Sequence, residues 1–397
     1  MCYMCGGRLM KIMQVCFSPI VDSAGGAEKV YCNMANHFCE KNEVVNICCD
    51  NKVGQPFYNV DKSVKFINIA GNDKIIVPSS VKFRGEIVRI LRSLGLKCTL
   101  PRTKYLRVVK AERLKKLLNI ENPDVVICYD MDSAMSMQLT GFSKDKIIVM
   151  FHNKIERFLK NMTNDEKAFL KSIRKNQVLL ESDKKKLEEI GFTNVMCIGN
   201  IVPKIEIPQD NKREKVIIHV GRLDKLQKRQ HLAIEAFSKI ASKYPDWTMK
   251  FIGGNSNPSG YEDELKNLIK KHGLEKQVFL AGTTSKVTDE LLKASIFVFP
   301  SAFEGFGLAM TEAMSAGLPV LGFRNTPAVN ELVVDGENGL LCDDNNETFA
   351  EAMSKLIFDT ELRVSLGQKA KESVKKYSAD AIFKQWEEVF SKMRGEV

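Results

Sequence analysis

The sequence contains no apolar run close to the roughly 18 residues that a helix needs to cross a bilayer. It also lacks the G-x-G-x-x-G pattern with which Rossmann domains bind dinucleotides, and this weighs against a nicotinamide enzyme. Internal repeats and low-complexity tracts are absent as well, and we expect no signal peptide ahead of the first strand. These absences favour a globular enzyme of the cytoplasm, and 397 residues with 44% hydrophobic content are enough for two or three domains.

The eleven cysteines do not suggest a disulfide framework. Their number is odd and their spacing is irregular, which indicates reduced thiols in a cytoplasmic protein. Cys2 and Cys5 form a C-x-x-C pair, but no second pair completes a zinc site. We therefore expect no metal at this position.

Positive charge is concentrated in the first half of the chain. The basic stretch runs from Lys82 to Lys116 and contains twelve basic residues against two acidic ones, Glu86 and Glu112. Apolar residues are interleaved with the basic ones, and this pattern predicts basic amphipathic helices. Such helices either contact an anionic membrane surface or present an ordinary solvated face, and both interpretations stay open. We expect no nucleic-acid partner, because no recognised nucleic-acid module accompanies the charge.

Strand and helix patterns alternate along the whole chain. This alternation predicts the α/β class, with parallel sheets covered by helices on both faces. We place an unstructured extension at residues 1–9, an N-terminal domain at 10–203 and a C-terminal domain at 214–377. The segment 204–213, which contains Pro208 and a charged run, is the predicted linker.

The most informative motif is SIFVFPSAFEGFGLAMTEAMSAG in the second half. It predicts a strand, a glycine-containing loop and a helix. Glu304 lies in the loop, and Glu312 lies about two turns into the helix. Because a helix N-terminus offers unpaired N–H groups to a phosphate or a sugar hydroxyl, two carboxylates at this spacing suit one long polyhydroxylated ligand. The alternative is a helix with a buried glycine turn and two surface glutamates.

The segment KVIIHVGRLDKLQKRQ predicts a strand that ends in a polar loop. Gly221 and Arg222 follow this strand, and Lys228 precedes the next helix. Open parallel sheets bind ligands outside the carboxyl ends of their strands, where a guanidinium and an ammonium together can hold a diphosphate. Gly253 and Gly254 end the following strand, so neighbouring strand ends carry glycine or charge. The alternative is a solvated basic loop.

Together these motifs resemble the retaining nucleotide-sugar glycosyltransferases of family 4, within the glycosyl transferases group 1, which have the GT-B fold. The resemblance covers most of residues 214–345, with weaker echoes in the first half, and is carried by Gly221, Arg222, Lys228, the E-x7-E pair, EAMSAGLPV from Glu312 and ELVVDGENGLL from Glu331. It implies two Rossmann-like parallel-sheet domains that face each other across a donor cleft. It also implies that a last helix, within residues 378–397, crosses back to the N-terminal domain.

The resemblance also implies roles for individual residues. Arg222 and Lys228 would stabilise the leaving diphosphate, and Glu304 would bind the transferred sugar. His152, which follows the strand in IIVMFHN, would lie near that sugar, and the alternative is a structural histidine. The implied donor-binding positions are Gly25, Gly26, Gly221, Gly254, Gly305, Phe306, Gly307, Leu308 and Glu312. Glu312 would bind the ribose hydroxyls, and the alternative for the first two glycines is a plain turn.

The implied activity is retaining transfer of a hexose or N-acetylhexosamine from a nucleoside-diphosphate sugar to a glycan or lipid-linked acceptor hydroxyl. We expect a UDP-sugar donor before GDP-mannose, no cofactor, and a role in bacterial surface polysaccharide or glycolipid synthesis. The protein would be cytoplasmic or peripheral at the inner face of the membrane. Asp130-Met131-Asp132 has the D-x-D form with which a different glycosyltransferase fold holds a metal, but we expect no metal there. A nucleotide-sugar epimerase of the same fold and a catalytically silent sugar-nucleotide or membrane-binding partner are the alternatives.

Overall fold

The computed structural model describes residues 9–395, apart from 22–24, 51, 53, 71–74, 84–87, 89–98 and 256–259. The chain divides into two compact units, an N-terminal unit that ends at Ile198 and a C-terminal unit that begins at Gly199. The first eight residues of the predicted extension, with the C-x-x-C pair, and much of the basic stretch lie outside the described residues.

In the N-terminal unit, seven described strands form a parallel sheet in the order β3-β2-β1-β4-β5-β6-β7. The strands are β1 Lys11–Cys16, β2 Glu43–Cys48, β3 Lys65–Asn68, β4 Val125–Cys128, β5 Ile147–Met150, β6 Lys175–Val178 and β7 Val195–Cys197. The described helices are α1 Gly26–Phe38, α2 Pro101–Glu121, α3 Met131–Thr140, α4 Ile155–Asn161, α5 Asn164–Ser172 and α6 Glu181–Glu189. The central strand β4 is apolar and buried throughout, as expected for a parallel sheet covered on both faces.

In the C-terminal unit, six described strands form a second parallel sheet in the order β10-β9-β8-β11-β12-β13. The strands are β8 Val216–Val220, β9 Thr248–Ile252, β10 Val278–Leu280, β11 Ile296–Phe299, β12 Val320–Phe323 and β13 Gly339–Cys342. The described helices are α7 Gln230–Ser238, α8 Tyr261–Lys271, α9 Val287–Lys293, α10 Leu308–Ser315, α11 Val329–Leu332, α12 Asn346–Phe358, α13 Thr360–Ser373 and α14 Ala379–Arg394. The predicted α/β class with two parallel sheets is confirmed.

Helix α2 corrects the interpretation of the basic stretch. The sequence predicted amphipathic helices with a basic face, but α2 turns two of its cationic side chains inward. The buried guanidinium of Arg107 lies 3.0 Å from a carboxylate oxygen of Asp132 and 3.0 Å from one of Glu166. The buried ammonium of Lys110 lies 4.4 Å from the centroid of the Phe17 ring. Part of the charge therefore serves the fold, because buried cations are stable only with such partners.

The remaining cations of α2 include four exposed residues, Arg102, Lys104, Lys115 and Lys116. Within α2, these four residues are the candidate contacts for anionic lipid. Among the helices described, none is both long enough and apolar enough to span a bilayer.

The segment just before β8, which contains the predicted linker, is bound to the C-terminal unit. The hydroxyl of Ser315, at the end of α10, donates a hydrogen bond to the carbonyl of Pro203 at 2.6 Å. The guanidinium of Arg213 donates to the carbonyls of Ala294 at 2.7 Å and Ala316 at 2.5 Å. These carbonyls lie at the C-terminal ends of α9 and α10, where positive charge is favourable to the helix dipole.

Candidate active site

The topology of the C-terminal sheet identifies where a ligand can bind. Strand β8 pairs with β9 on one side and with β11 on the other, so the strand order reverses direction between β8 and β11. At such a switch point the loops at the carboxyl ends of the two strands diverge and leave a crevice. The loop after β8 carries Gly221, Arg222 and Lys228, and the loop after β11 carries Glu304, as predicted from the sequence.

The loop after β8 folds back on itself through the carboxylate of Asp224. Its Oδ1 accepts hydrogen bonds from the backbone N–H groups of Leu226 at 3.0 Å and Gln227 at 2.8 Å. The guanidinium of Arg222 donates to Gln227 Oε1 at 2.5 Å and lies 3.3 Å from the Asp224 carboxylate. The Arg222 side chain is 51% exposed, so its loop holds it in place while part of the guanidinium stays open to solvent.

Lys228 and Glu304 meet at the switch point. Lys228 Nζ lies 2.6 Å from Glu304 Oε1, and only 13% of the lysine side chain and 8% of the glutamate side chain are exposed. The ammonium also lies 5.0 Å from the centroid of the Phe299 ring, at the end of β11. The sequence predicted that both side chains belong to one site but did not predict their direct contact. The contact matters because a buried charge of either sign is costly without its partner.

Glycines allow the loops after β8 and β9 to lie directly against each other. The N–H of Gly221 donates to the carbonyl of Ile252 at 2.8 Å, and the N–H of Leu223 donates to that of Gly254 at 3.0 Å. A Cβ on Gly253, whose φ is +143°, would lie 2.0 Å from the Gly221 carbonyl oxygen. A Cβ on Gly254 would lie 3.0 Å from a Thr283 methyl group. The sequence marked Gly253 and Gly254 as a strand end. The structure shows that a side chain at Gly253 is excluded by the backbone of Gly221.

Helix α10 begins at the predicted glycine loop. Gly307 is its N-cap at φ +77°, no side chain caps the helix, and Leu308 is its first residue. Gly305 lies two residues before the N-cap, and Glu312 is half-buried within the helix. The Phe306 ring is buried edge-on against Tyr377, with ring centroids 5.1 Å apart. The Phe306 side chain thus holds the loop in place by packing against Tyr377. The helix N-terminus, which no side chain caps, provides the positive end of the helix dipole.

Sequence reasoning missed His219 in β8. Its Nδ1–H donates to the carbonyl of Val298 at 3.0 Å, and its Nε2 accepts from the Gln230 side chain at 3.3 Å. The same Gln230 amide donates to the carbonyl of Arg222 at 2.8 Å. Burial lowers the pKa of His219 to about 3, so the imidazole is neutral and links β8, β11 and the Arg222 loop. No sequence signal distinguished this histidine, because a single histidine in a strand is ordinarily structural.

Arg229 was also missed, although it follows Lys228 directly. It is the N-cap of α7, with φ at +49°. Its guanidinium lies against Asp344 and against the carbonyls of Pro300 and Ser301, which open the loop after β11. The sequence presents it only as one more basic residue in a charged run.

The N-terminal unit contains the other predicted positions. His152 lies just after β5, with its ring stacked on Tyr129 at 5.2 Å and an interplanar angle of 13°. Part of the residue reaches the surface, but both ring nitrogens are buried and have no hydrogen-bond partner among the described residues. Desolvation lowers the pKa of His152 to about 4, which keeps the imidazole neutral. Gly25 is the N-cap of α1 and Gly26 its first residue.

The D-x-D pair serves the fold of the N-terminal unit. The Asp130 carboxylate accepts hydrogen bonds from the N–H groups of Phe17 at 2.6 Å and Ser133 at 2.7 Å, and it caps α3. Asp132 pairs with Arg107, as described above. Across the described residues, no group of three or more histidine, cysteine, aspartate or glutamate side chains is placed to hold a metal ion.

Comparisons with known proteins find a family model that matches the C-terminal unit and several relatives in sequence. Residues 203–373 match the family model of the glycosyl transferases group 1. The chain is 28% identical over 94% of its length to an exopolysaccharide phosphotransferase of Streptomyces coelicolor, of which it spans 40%. It is 28% identical over 92% of its length to an uncharacterized glycosyltransferase of Haemophilus influenzae, of which it spans 96%. It is 27% identical over 70% of its length to a poly(ribitol-phosphate) alpha-N-acetylglucosaminyltransferase of Staphylococcus aureus, of which it spans 57%.

Solved structures share the fold. A mutant of S. aureus TarM in complex with fondaparinux, alpha-GlcNAc-glycerol and UDP superposes with a TM-score of 0.73 at 18% identity, covering 96% of this chain and 100% of that one. Anabaena HepE in complex with UDP and glucose gives a TM-score of 0.69 at 17% identity, covering 96% and 99%. At these identities the likeness establishes the fold alone. The chain therefore has the GT-B fold of two Rossmann-like parallel-sheet domains, and its residues 203–373 match the family model of the glycosyl transferases group 1.

Proposed function

We propose that this protein transfers a hexosyl or N-acetylhexosaminyl group from a nucleoside-diphosphate sugar, UDP-linked before GDP-linked, to an acceptor hydroxyl, with retention and without a metal. The observation that carries the proposal is the buried ion pair of Lys228 with Glu304 at the switch point of the C-terminal sheet. The family of the C-terminal domain and the UDP bound in solved structures of the same fold support it.

The donor diphosphate is assigned to Arg222, Lys228 and the N-terminus of α10. An ammonium has three N–H donors, so Lys228 can bind Glu304 and a phosphate oxygen at the same time. Arg222 supplies a half-exposed guanidinium whose fork geometry matches phosphate oxygens. As the glycosidic bond breaks, negative charge grows on the leaving diphosphate, and donors fixed before the reaction stabilise that charge most effectively.

The two glutamates are assigned to the two sugars of the donor. Glu304 binds hydroxyls of the transferred sugar, because its carboxylate is held at the switch point by Lys228. Glu312, about 8 Å further along α10 than Gly307, binds the ribose hydroxyls. Because Glu304 is engaged by an ammonium, we assign it to positioning and not to proton abstraction. The leaving phosphate oxygen then takes the proton of the acceptor hydroxyl on the same face of the sugar, which gives retention.

The acceptor is assigned to the class of glycan, polyol or lipid-linked hydroxyls of bacterial surface polymers. The S. aureus relative named above acts on poly(ribitol-phosphate), as its name states, and the S. coelicolor relative is named for exopolysaccharide. We assign His152 to a hydroxyl of the transferred sugar, because its two buried nitrogens need hydrogen-bond partners. We assign Gly25 and Gly26, at the start of α1, to the donor phosphates.

Thermal melting with UDP-, GDP- and ADP-sugars, with and without EDTA, tests the donor assignment. A ligand at 100 times its Kd adds about 2.7 kcal/mol to the free energy of unfolding, which for a unit of this size is about 5–10 °C in Tm. We expect such a shift with one donor, unaffected by EDTA and lost in Arg222→Ala and in Lys228→Ala. Lys225→Ala is the matched control, because Lys225 lies in the same loop but pairs with Glu264 at the surface.

Turnover of the same donor tests the chemistry. Incubation with a polyol-phosphate or glycan acceptor should release the nucleoside diphosphate and give a product whose new linkage keeps the anomeric configuration of the donor by NMR. Inversion at the anomeric carbon would contradict the retaining mechanism. An absence of any donor-induced shift would overturn the donor assignment itself, and a shift without release of the diphosphate would favour a silent binding protein.

A further inference from the structure

Arg229 combines a strained backbone with an unusually well-engaged side chain. Its φ of +49° lies in the left-handed region, which residues other than glycine adopt at a cost. Such a conformation persists only where the surrounding contacts enforce it, and it occurs often at functional sites. An arginine therefore occupies a position suited to glycine, and we look for the reason in the contacts of its side chain.

Those contacts reach three other strand ends of the C-terminal sheet. Nη1 lies 3.0 Å and 2.9 Å from the two carboxylate oxygens of Asp344, after β13. Nε donates to the carbonyl of Pro300 at 2.9 Å and Nη2 to that of Ser301 at 3.3 Å, both after β11. The guanidinium plane also lies 4.9 Å from the ring centroid of Phe323, which ends β12. Only 17% of the Arg229 side chain is exposed, so these interactions are poorly screened by water.

The two carbonyls bound by Arg229 begin the loop that carries Glu304. The carbonyl of Ser301 also accepts a hydrogen bond from the Thr326 hydroxyl at 2.7 Å, so its position is fixed from two sides. At its other end, Arg229 is covalently joined to Lys228, the partner of Glu304. One residue thus links the two loops that must present the ammonium and the carboxylate to the same ligand.

We propose that Arg229 is a positioning residue of the glycosyl-transfer site, which sets the spacing between Lys228 and Glu304 by tying the loop after β11 to the loop after β8. The inference rests on the proposed function for its catalytic consequence, but its geometric content is independent of any substrate. The strained backbone is the condition for this role, because it turns the guanidinium toward the β11 loop while Lys228 faces Glu304.

Three substitutions separate the effect of the Arg229 side-chain contacts, here called the anchor, from the effect of the backbone strain. Arg229→Gly removes the side chain and adopts φ +49° without strain, Arg229→Ala removes the side chain and keeps the strain, and Asp344→Asn weakens the anchor from its other end. Lys239→Ala is the control, because Lys239 forms a surface ion pair with Glu347 at 2.9 Å near the same helix and does not touch either loop. The measurements are hydrogen exchange of the backbone amides of residues 301–307, followed by mass spectrometry, and steady-state kinetics with the donor identified by melting.

We expect Arg229→Gly to speed amide exchange in residues 301–307 and to lower kcat at least about tenfold while KM changes less than about threefold, as for misplaced reacting groups. Arg229→Ala should give the same kinetic defect as Arg229→Gly but a lower Tm, because alanine keeps the backbone strain. Asp344→Asn should give a smaller kinetic defect, and Lys239→Ala should give none. Unchanged amide exchange in residues 301–307 of Arg229→Gly would overturn the positioning role whatever the activity. Faster exchange with unchanged kcat would overturn its link to catalysis. A wild-type protein that turns over no donor would instead refute the proposed function, and exchange would still decide the positioning role.

Discussion

Removing the ammonium of Lys228 should destabilise the C-terminal unit strongly. The substitution Lys228→Met keeps much of the side-chain volume but leaves the Glu304 carboxylate, which is 8% exposed, without its charged partner. Two unit charges at the observed separation of 2.6 Å attract by about 6 kcal/mol at an effective dielectric constant of 20. Part of this attraction offsets the desolvation of both groups, and breaking a buried pair by removing one partner costs about 3–5 kcal/mol. We expect a loss of about 3 kcal/mol in the free energy of unfolding.

The two tryptophans provide a selective assay. Trp247 and Trp386 both lie in the C-terminal unit and are buried, so tryptophan fluorescence during urea unfolding reports on that unit. Removing both partners should cost less than the sum of the single substitutions, and the double-mutant cycle of Lys228→Met with Glu304→Gln should give a coupling of about 2–3 kcal/mol. The exposed pair of Lys225 with Glu264 is the internal reference, and Lys225→Met should cost less than about 1 kcal/mol.

Two results together would show that the pairing of Lys228 with Glu304 does not stabilise the folded protein. One is a Lys228→Met variant that unfolds within about 1 kcal/mol of the wild type, and the other is a coupling near zero in the cycle. Such an outcome would mean that the two side chains are solvated in solution, and that the close contact does not preorganise the site.

Three further predictions concern pH, a glycine and the membrane. Burial lowers the pKa of His219 to about 3, so its contribution to stability is complete above the unfolded pKa of about 6.5 and is lost as the pH falls toward 3. Between pH 7 and pH 4 the free energy of unfolding should fall by about 3 kcal/mol because of this histidine. Urea unfolding at both pH values should show that this loss disappears in His219→Gln. The loss should persist in His272→Gln, which changes an exposed histidine. Gly253→Ala should lower the free energy of unfolding by about 3 kcal/mol, because its Cβ would lie 2.0 Å from a backbone oxygen. Gly273→Ala, whose Cβ has open space around it, should lower the free energy of unfolding by roughly 1–2 kcal/mol, as measured by urea unfolding. Equal losses at the two glycines would contradict the steric argument. Replacing the four exposed cations of α2 by alanine should abolish co-sedimentation with anionic vesicles at low salt, and if the wild type does not sediment with the vesicles, the basic stretch is a solvated surface.

Much of the C-terminal site could be predicted because parallel sheets gather their functional loops at one edge. The glycines and charges after β8, β9 and β11 are recognisable in the sequence, and the order of strands brings them together. What the spacing does not contain is which of these side chains touch. Lys228 and Glu304 are separated by 76 positions, and their contact depends on how two loops lean toward each other.

The missed residues have partners that are distant in the chain. Arg229 binds a carboxylate 115 positions away, so its neighbours in sequence give no sign of its role. The imidazole of His219 is held by a carbonyl 79 positions away. For the same reason, counting the charges of the basic stretch does not reveal that Arg107 pairs with Glu166 in the fold. Local patterns predicted the elements and the side of the sheet, whereas pairing between elements required the structure.

The attachment of residues 203–213 to the C-terminal unit decides where the chain can be cut. Arg213 donates to five backbone carbonyls at the ends of α9 and α10, and Ser315 binds the carbonyl of Pro203. A recombinant fragment that begins at residue 214 would lack the guanidinium and leave those helix ends without it. A fragment that begins at Gly199 retains both contacts. The residues that join the two units in sequence are therefore part of the hydrogen-bonded framework of the second one, and a protease should cleave this segment slowly despite its prolines and charge.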